Sequence, residues 1–216
     1  MPASIQIKLC ALSHIVDSIP TTDRKAWLQH VKAKIMAFRN AQLEQYFELT
    51  LEADDIAVAP KGKPYLSNFP QYAFNQSHTK DSYALAMSAQ IQNLGIDIEQ
   101  LSRNVRFDAL AQHAFHPEEL KTWQDSDFDL SYWFKVWTTK EAVLKAAGLG
   151  IRINLNEFNT QVHPIHDGGM CQHPNIGHFS YQNMQVGDVM LTVAWAADAS
   201  CKGFSFPQIE LHSALI

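Results

Sequence analysis

The chain has 216 residues, 46% of them hydrophobic and 18% charged, with a net charge of −5. That balance describes a globular chain long enough for a real core and excludes a disordered one, and the acid excess argues against a surface built to grip nucleic acid. Three cysteines (Cys10, Cys171 and Cys201) show no C-x-x-C spacing and outline no disulfide framework.

Residues 5–16 are apolar enough for an opening strand. Thr21 and Thr22 then offer N-caps for a helix to about Tyr46. In it Trp27, Val31, Ile35 and Phe38 recur at helical spacing and face the core, with Arg24, Lys25, Lys32 and Lys34 between them. Residues 54–72 hold Pro60, Pro64 and Pro70 and read as loop with short extended pieces. Strands are expected at 83–87 and 94–98, joined as a hairpin through the polar link 88–93. A helix over 104–114 is followed by another that starts at Pro117, with Glu118 and Glu119 in its first turn. Residues 131–147 form the strongest helix, ended by Gly148 and Gly150. The tail alternates over 179–184, turns at Gly187 and Asp188, and alternates again over 189–195. Strand-rich stretches around helices in both halves predict an α+β fold.

No apolar run approaches the roughly 18 residues of a spanning helix. The first residues lack the basic head and long apolar core of a secretory leader. The expectation is a cytoplasmic protein with no membrane or nucleic-acid partner.

Three segments carry chemistry. In Gly95-Ile96-Asp97-Ile98-Glu99, strand alternation puts Asp97 and Glu99 on one face, roughly 7 Å apart, and Ile96 and Ile98 on the other. Adjacent carboxylates repel unless something positive lies between them; a divalent cation with oxygen ligands, magnesium, meets that need. In the helix, Trp137, Glu141 and Lys145 lie four apart and share a face. Glu141 offers a third carboxylate and Lys145 a cation. In the third segment Gly62 lets backbone approach a ligand, while Lys63, Ser77 and His78 are groups that bind phosphate. Each segment alone fits an ordinary surface. Together, three carboxylates and several cations point to a diphosphate held with magnesium, and to a hydroxyl nucleophile attacking phosphorus.

The motifs GKP within 61–64, F-N-x-S-H-T at 74–79, G-I-D-I-E at 95–99, F-x-x-x-E at 115–119 and W-x-x-K-E-A-x-x-K-x-x-G-x-G at 137–150 resemble the Sfp-type (group II) 4′-phosphopantetheinyl transferases. The resemblance covers about residues 20–200. It implies two similar α+β subdomains related by a pseudo-twofold axis, here residues 1–92 and 93–216, with coenzyme A in the cleft between them. It implies transfer of the phosphopantetheine arm of coenzyme A to a serine of an acyl or peptidyl carrier protein, with adenosine 3′,5′-bisphosphate released. On this resemblance Asp97, Glu99 and Glu141 are the magnesium ligands. Lys145 and Lys140 contact the coenzyme A phosphates, Lys63, Ser77 and His78 bind phosphate and adenosine, and Glu119 is the general base. Arg39 is placed at the 3′-phosphate, ahead of Lys34. Ile98 stands where some members carry a polar residue, and the first helix lacks the family's dense arginines. A chain holding both halves is expected to act as a monomer.

Two other readings fit the same acids: a second enzyme class, a magnesium nucleotide phosphohydrolase, and a non-enzymatic coenzyme A binding module. His163, His166, Cys171, His173 and His178 cluster in sequence and invite zinc, but at no standard spacing. Met184, Met190, Trp195, Phe204 and Phe206 read as core or apolar surface. Lys121, Lys135 and Arg152 are candidates to meet an acidic carrier at the cleft mouth.

Overall fold

The computed structural model describes residues 3–19, 23–148, 153–197 and 206–215. Thr21, Thr22, Gly150, Arg152, Cys201 and Phe204 lie outside the described residues.

The first strand, β1 (Ser4–Ala11), buries Ile5, Ile7 and Leu9 on one face by simple alternation, and a single 3-10 turn follows at Leu12–His14. Helix α1 (Arg24–Phe47) starts at Asp23, whose carboxylate accepts the Lys25 N–H. It buries Ile35, Arg39, Leu43 and Phe47, a seam of every fourth residue. Its first turns overhang that seam, so Trp27 is 37% exposed and stands beside His30 rather than in the core. The proline-rich stretch forms a short ribbon of β2 (Ile56–Val58) and β3 (Pro64–Leu66).

Strands β4 (Ala73–His78), β5 (Ser82–Ser88) and β6 (Leu94–Gln100) come next. Helices α2 (Phe107–Ala114), α3 (Pro117–Asp125) and α4 (Leu130–Ala147) follow, the last capped by Asp129 and closed by Gly148 at φ 68°. Strands β7 (Gly168–His173), β8 (Gly177–Val186), β9 (Val189–Ala196) and β10 (Gln208–Ala214) complete the chain.

Two four-stranded sheets result, ordered β10-β1-β5-β4 and β6-β9-β8-β7. Each half repeats one plan: a strand, a helical excursion, and an antiparallel meander whose last strand returns beside the first (β5 beside β1, β9 beside β6). The hairpin expected at 88–93 does not form. The Ser88 hydroxyl donates to the Ser4 carbonyl and accepts the Gln90 and Ile91 N–H groups, which turns the chain away, and the link crosses from one sheet to the other. Alternation shows that a segment is a strand but not which strand it pairs with. The last strand also crosses back: β10 runs parallel to β1, so residues 208–214 complete the first sheet rather than the second.

The sheets face one another over Ile5, Ile7, Leu9, Ile96, Leu191 and Val193. Helix α1 covers the outer face of the first sheet, against Leu85 and Met87. Helix α4 covers the outer face of the second, against Tyr181, Met190 and Ala194. Trp133, fully buried there, stacks on Trp137 at 5.4 Å. Burying a side chain of that class is worth about 2–3 kcal/mol.

Candidate active site

Alternation in β6 sends Ile96 and Ile98 into the core between the sheets and leaves Asp97 and Glu99 facing the α4 side. Gly95 brings the helix close. A Cβ there would lie 2.0 Å from the Ala142 carbonyl oxygen and 2.5 Å from the Ala146 nitrogen. The crossing therefore requires glycine, and it delivers Glu141 and Lys145 to the acids of β6.

Lys145 Nζ donates to Asp97 Oδ1 (2.7 Å), to Ser77 Oγ (2.9 Å) and to the Ile96 carbonyl (3.1 Å). Ser77 Oγ donates to the same Asp97 oxygen at 2.8 Å. One ammonium thus ties β4, β6 and α4 together. Asp97 Oδ2 is buried and accepts no hydrogen bond. Glu99 Oε1 accepts Trp137 Nε1–H at 3.2 Å and is ion-paired with Arg103. Burial, and then Asp97, pushes the Glu141 carboxyl above its usual range; burial likewise raises Glu99, against the pull of Arg103.

β6 is the edge strand of its sheet, and side chains dress its outer backbone. Asn75 Oδ1 accepts the Ile96 N–H at 2.9 Å, and Lys63 Nζ donates to the Leu94 and Ala146 carbonyls at 3.0 Å each. Lys63 is aimed there by the turn at Gly62, whose φ of 89° suits glycine. Burial lowers the Lys63 ammonium to about 8. Burial and Lys145 also lower His78 at the end of β4.

Lys63, Ser77, His78, Asp97, Glu99, Glu141 and Lys145 line a single cavity of about 530 Å³. Gly62, Pro64, Gln76 and His78 also border a neighbouring groove of about 620 Å³, which Arg39 and Lys32 line from α1. The Arg39 guanidinium is buried, donates to Asn40 Oδ1 and lies 5.5 Å from the Phe74 ring centre. Lys34 is paired with Asp17 on the surface instead.

Glu119 and Lys140 do not line the cavity. They form an ion pair at 2.8 Å, 2% and 1% exposed. Glu119 also accepts from the His116 backbone and from the backbone and hydroxyl of Thr160, and Lys140 donates to the Leu155 and Phe158 carbonyls. The family resemblance implied that both meet the ligand; the fold turns both inward, where they hold the 155–160 segment to α3 and α4. Lys135 is also buried, against Asp167, rather than at a cleft mouth, and Lys121 pairs with Asp125.

Among the described residues no three His, Cys, Asp or Glu side chains stand as a formed metal-ligand group. In the histidine-rich segment His163 Nδ1 accepts two backbone N–H groups and stacks on His166, and Cys171 is buried. At the cavity, Lys145 and Arg103 each take one oxygen, Asp97 Oδ1 and Glu99 Oε1, that a cation would otherwise be offered. The donor chemistry still suits a hard cation: three carboxylates meet, two of them raised, and one buried oxygen has no partner. Met190 and Trp195 are core, Met184 is half-buried, and Phe206 is exposed.

Sequence reasoning gave no role to Asn75, Arg103 or the Trp137 indole N–H. Asn75 lay inside a quoted motif. Arg103 had no signal, because its partner Glu99 belongs to a strand and Arg103 to the loop after it.

Fold and cavity together define an α+β protein of two repeated halves, with a carboxylate–lysine cluster at their seam. Residues 93–194, just under half of the chain, match the sequence model of the 4′-phosphopantetheinyl transferase superfamily. It is 31% identical over 107 residues to a 4′-phosphopantetheinyl transferase of Bacillus subtilis, covering 49% of this chain and 46% of the relative. It is 28% identical over 117 residues to the 4′-phosphopantetheinyl transferase Sfp of Bacillus subtilis strain 168, covering 52% and 50%. The L-aminoadipate-semialdehyde dehydrogenase-phosphopantetheinyl transferase of Xenopus laevis is 30% identical over 118 residues, covering 49% and 39%. The chain spans about half the length of the curated relatives it matches. Among the described residues no helix is long and apolar enough to cross a membrane.

Proposed function

We propose that this chain transfers the 4′-phosphopantetheine arm of coenzyme A to a serine of a carrier protein. The observation that carries this reading is the shared cavity: Asp97, Glu99, Glu141 and Lys145 from the second half meet Ser77, His78 and Lys63 from the first. A diphosphate is the ligand class that this mixture of cations and acids fits.

Asp97, Glu99 and Glu141 would hold a magnesium ion, whose chemistry here is to neutralise charge on the diphosphate oxygens. Lys145 and Lys63 bind phosphate oxygens, and Lys145 offsets charge that develops on the leaving group. His78 and Arg39 border the groove that would take the adenosine end. The carrier serine oxygen forms a bond to the phosphorus nearer the pantetheine. The bond from that phosphorus to the bridging oxygen breaks, adenosine 3′,5′-bisphosphate leaves, and the serine proton passes to water. Glu119 is not assigned that proton, because its oxygens already accept from His116, Thr160 and Lys140.

The test is mass measurement of apo carrier domains after incubation with the protein, coenzyme A and magnesium. A gain of one phosphopantetheine is expected with the wild type, and none with Asp97→Ala or Glu141→Ala, both still folded by circular dichroism. Cleavage of coenzyme A without a carrier would instead favour the phosphohydrolase. Coenzyme A binding that survives either substitution, with no carrier modified, would favour the binding module.

A further inference from the structure

We propose that Arg103 is the resident counter-ion of this cavity: its guanidinium holds Glu99 in the cation-free protein, and a divalent cation must displace it, so Arg103 sets how tightly the cation binds. The inference rests on the cation reading above and concerns this chain's own residues.

Three acids line one cavity, yet they form no ready ligand group among the described residues. Two positive groups account for that. Lys145 takes Asp97 Oδ1, and Arg103 Nη1 takes Glu99 Oε1, the oxygen that also accepts Trp137 Nε1–H. Asp97 Oδ2 is left buried without a partner. The two cations differ in how many acceptors hold them. The Lys145 side chain is 30% exposed and its Nζ has three acceptors, whereas the Arg103 guanidinium is held by Glu99, and its side chain is 36% exposed against 16% for Glu99. Arg103 is therefore the outer partner and the one free to leave.

Its backbone is fixed. Arg103 N–H donates to the Gln100 carbonyl, Leu101 N–H to the Asp188 carbonyl, and Ser102 Oγ to Asp188 Oδ2 at 2.6 Å. Only the side chain needs to swing. Beside it lies a second cavity of about 400 Å³, which shares Thr79 and Glu99 with the site and is lined by Asp81, a carboxylate that can receive the displaced guanidinium.

The test is a manganese titration of the metal-free protein, read by the electron paramagnetic resonance signal of free Mn²⁺. Arg103→Gln is expected to bind Mn²⁺ about fivefold more tightly than the wild type, the scale of losing one partly exposed ion pair. Asp97→Asn is the control and is expected to weaken binding. Unchanged or weaker binding in Arg103→Gln, with Asp97→Asn weakened, overturns the counter-ion role and leaves the cation site standing. Equal binding in Asp97→Asn and wild type overturns the cation site, and this inference with it. A second readout needs no variant: phenylglyoxal should label the Arg103 guanidinium of the wild type faster when Mn²⁺ is present. Equal labelling rates with and without Mn²⁺ also overturn the proposal.

Discussion

Lys145 Nζ lies 2.7 Å from Asp97 Oδ1, across 48 residues of chain. The contact joins the middle of an edge strand to the last turn of the helix that covers it. Neither residue reaches the other by local structure. They meet because α4 crosses β6 in backbone contact over Gly95. The same contact recruits Ser77 from the other sheet, so the geometry of the cavity depends on how closely one helix sits on one strand.

Gly95→Ala tests that dependence. The added methyl would fall within 3 Å of helix backbone, which has no rotamer to change. The helix must shift or the strand must bend, at a cost of about 1–3 kcal/mol. Urea denaturation should register that loss, and the displacement should also lower transfer activity in the fraction that remains folded. A variant of wild-type stability with full activity would show that the crossing has slack.

Lys63 gives a pH signature. In the unfolded chain its ammonium titrates near 10.5; burial brings it to about 8 in the folded protein. Between those values the unfolded state holds more protons, so this group's contribution to stability rises with pH. It is complete above about 10.5 and is lost as pH falls through about 8. Coenzyme A affinity should move the other way, weakening as pH passes 8 and Lys63 loses its charge. Lys63→Arg, still charged over this range, should flatten the affinity loss. Calorimetric titrations at pH 7 and 9 compare the two proteins; parallel declines would remove Lys63 from the phosphate contacts.

The buried Glu119–Lys140 pair is predicted to behave as a structural element. Glu119→Gln leaves the Lys140 ammonium buried without a carboxylate, and a loss of about 3–5 kcal/mol is expected. Replacing both partners, as in Glu119→Leu with Lys140→Met, should recover much of that loss, because no charge is then left unpaired. Denaturant melts of the two proteins measure the difference. A stable but inactive Glu119→Gln would point instead to a direct part in the reaction.

Much of the site was legible in the sequence because its pieces are local repeats. Asp97 and Glu99 share a strand face by period two. Trp137, Glu141 and Lys145 share a helix face by spacing of four. The structure keeps both sets: Asp97, Glu99, Glu141 and Lys145 line one cavity, and the Trp137 indole N–H donates to Glu99. The apolar partners were equally legible, since Ile96 and Ile98 lie in the core. Reading failed where the outcome depended on what lay opposite. Trp27 has the right spacing for a core residue, but its turn of α1 overhangs the packed seam. Glu119 and Lys140 sit in motifs that suggested ligand contacts, yet their partners are the 155–160 segment and each other. The clustered histidines, already at odds with any standard zinc spacing, are held locally: His163 and His173 accept backbone N–H groups of their own turns.

By itself the sequence determined which faces of its strands and helices are apolar and which carry acid and base, because side-chain direction follows backbone period. Only the tertiary structure decided which sheet each strand joined, that β10 returns to pair with β1, and that Asn75, Lys63 and Lys145 would dress the open edge of β6. Those outcomes depend on hydrogen-bonding groups far apart in the chain finding partners. Such pairing is a property of the packed whole, because an unpaired strand edge takes any donor or acceptor that the rest of the fold brings to it.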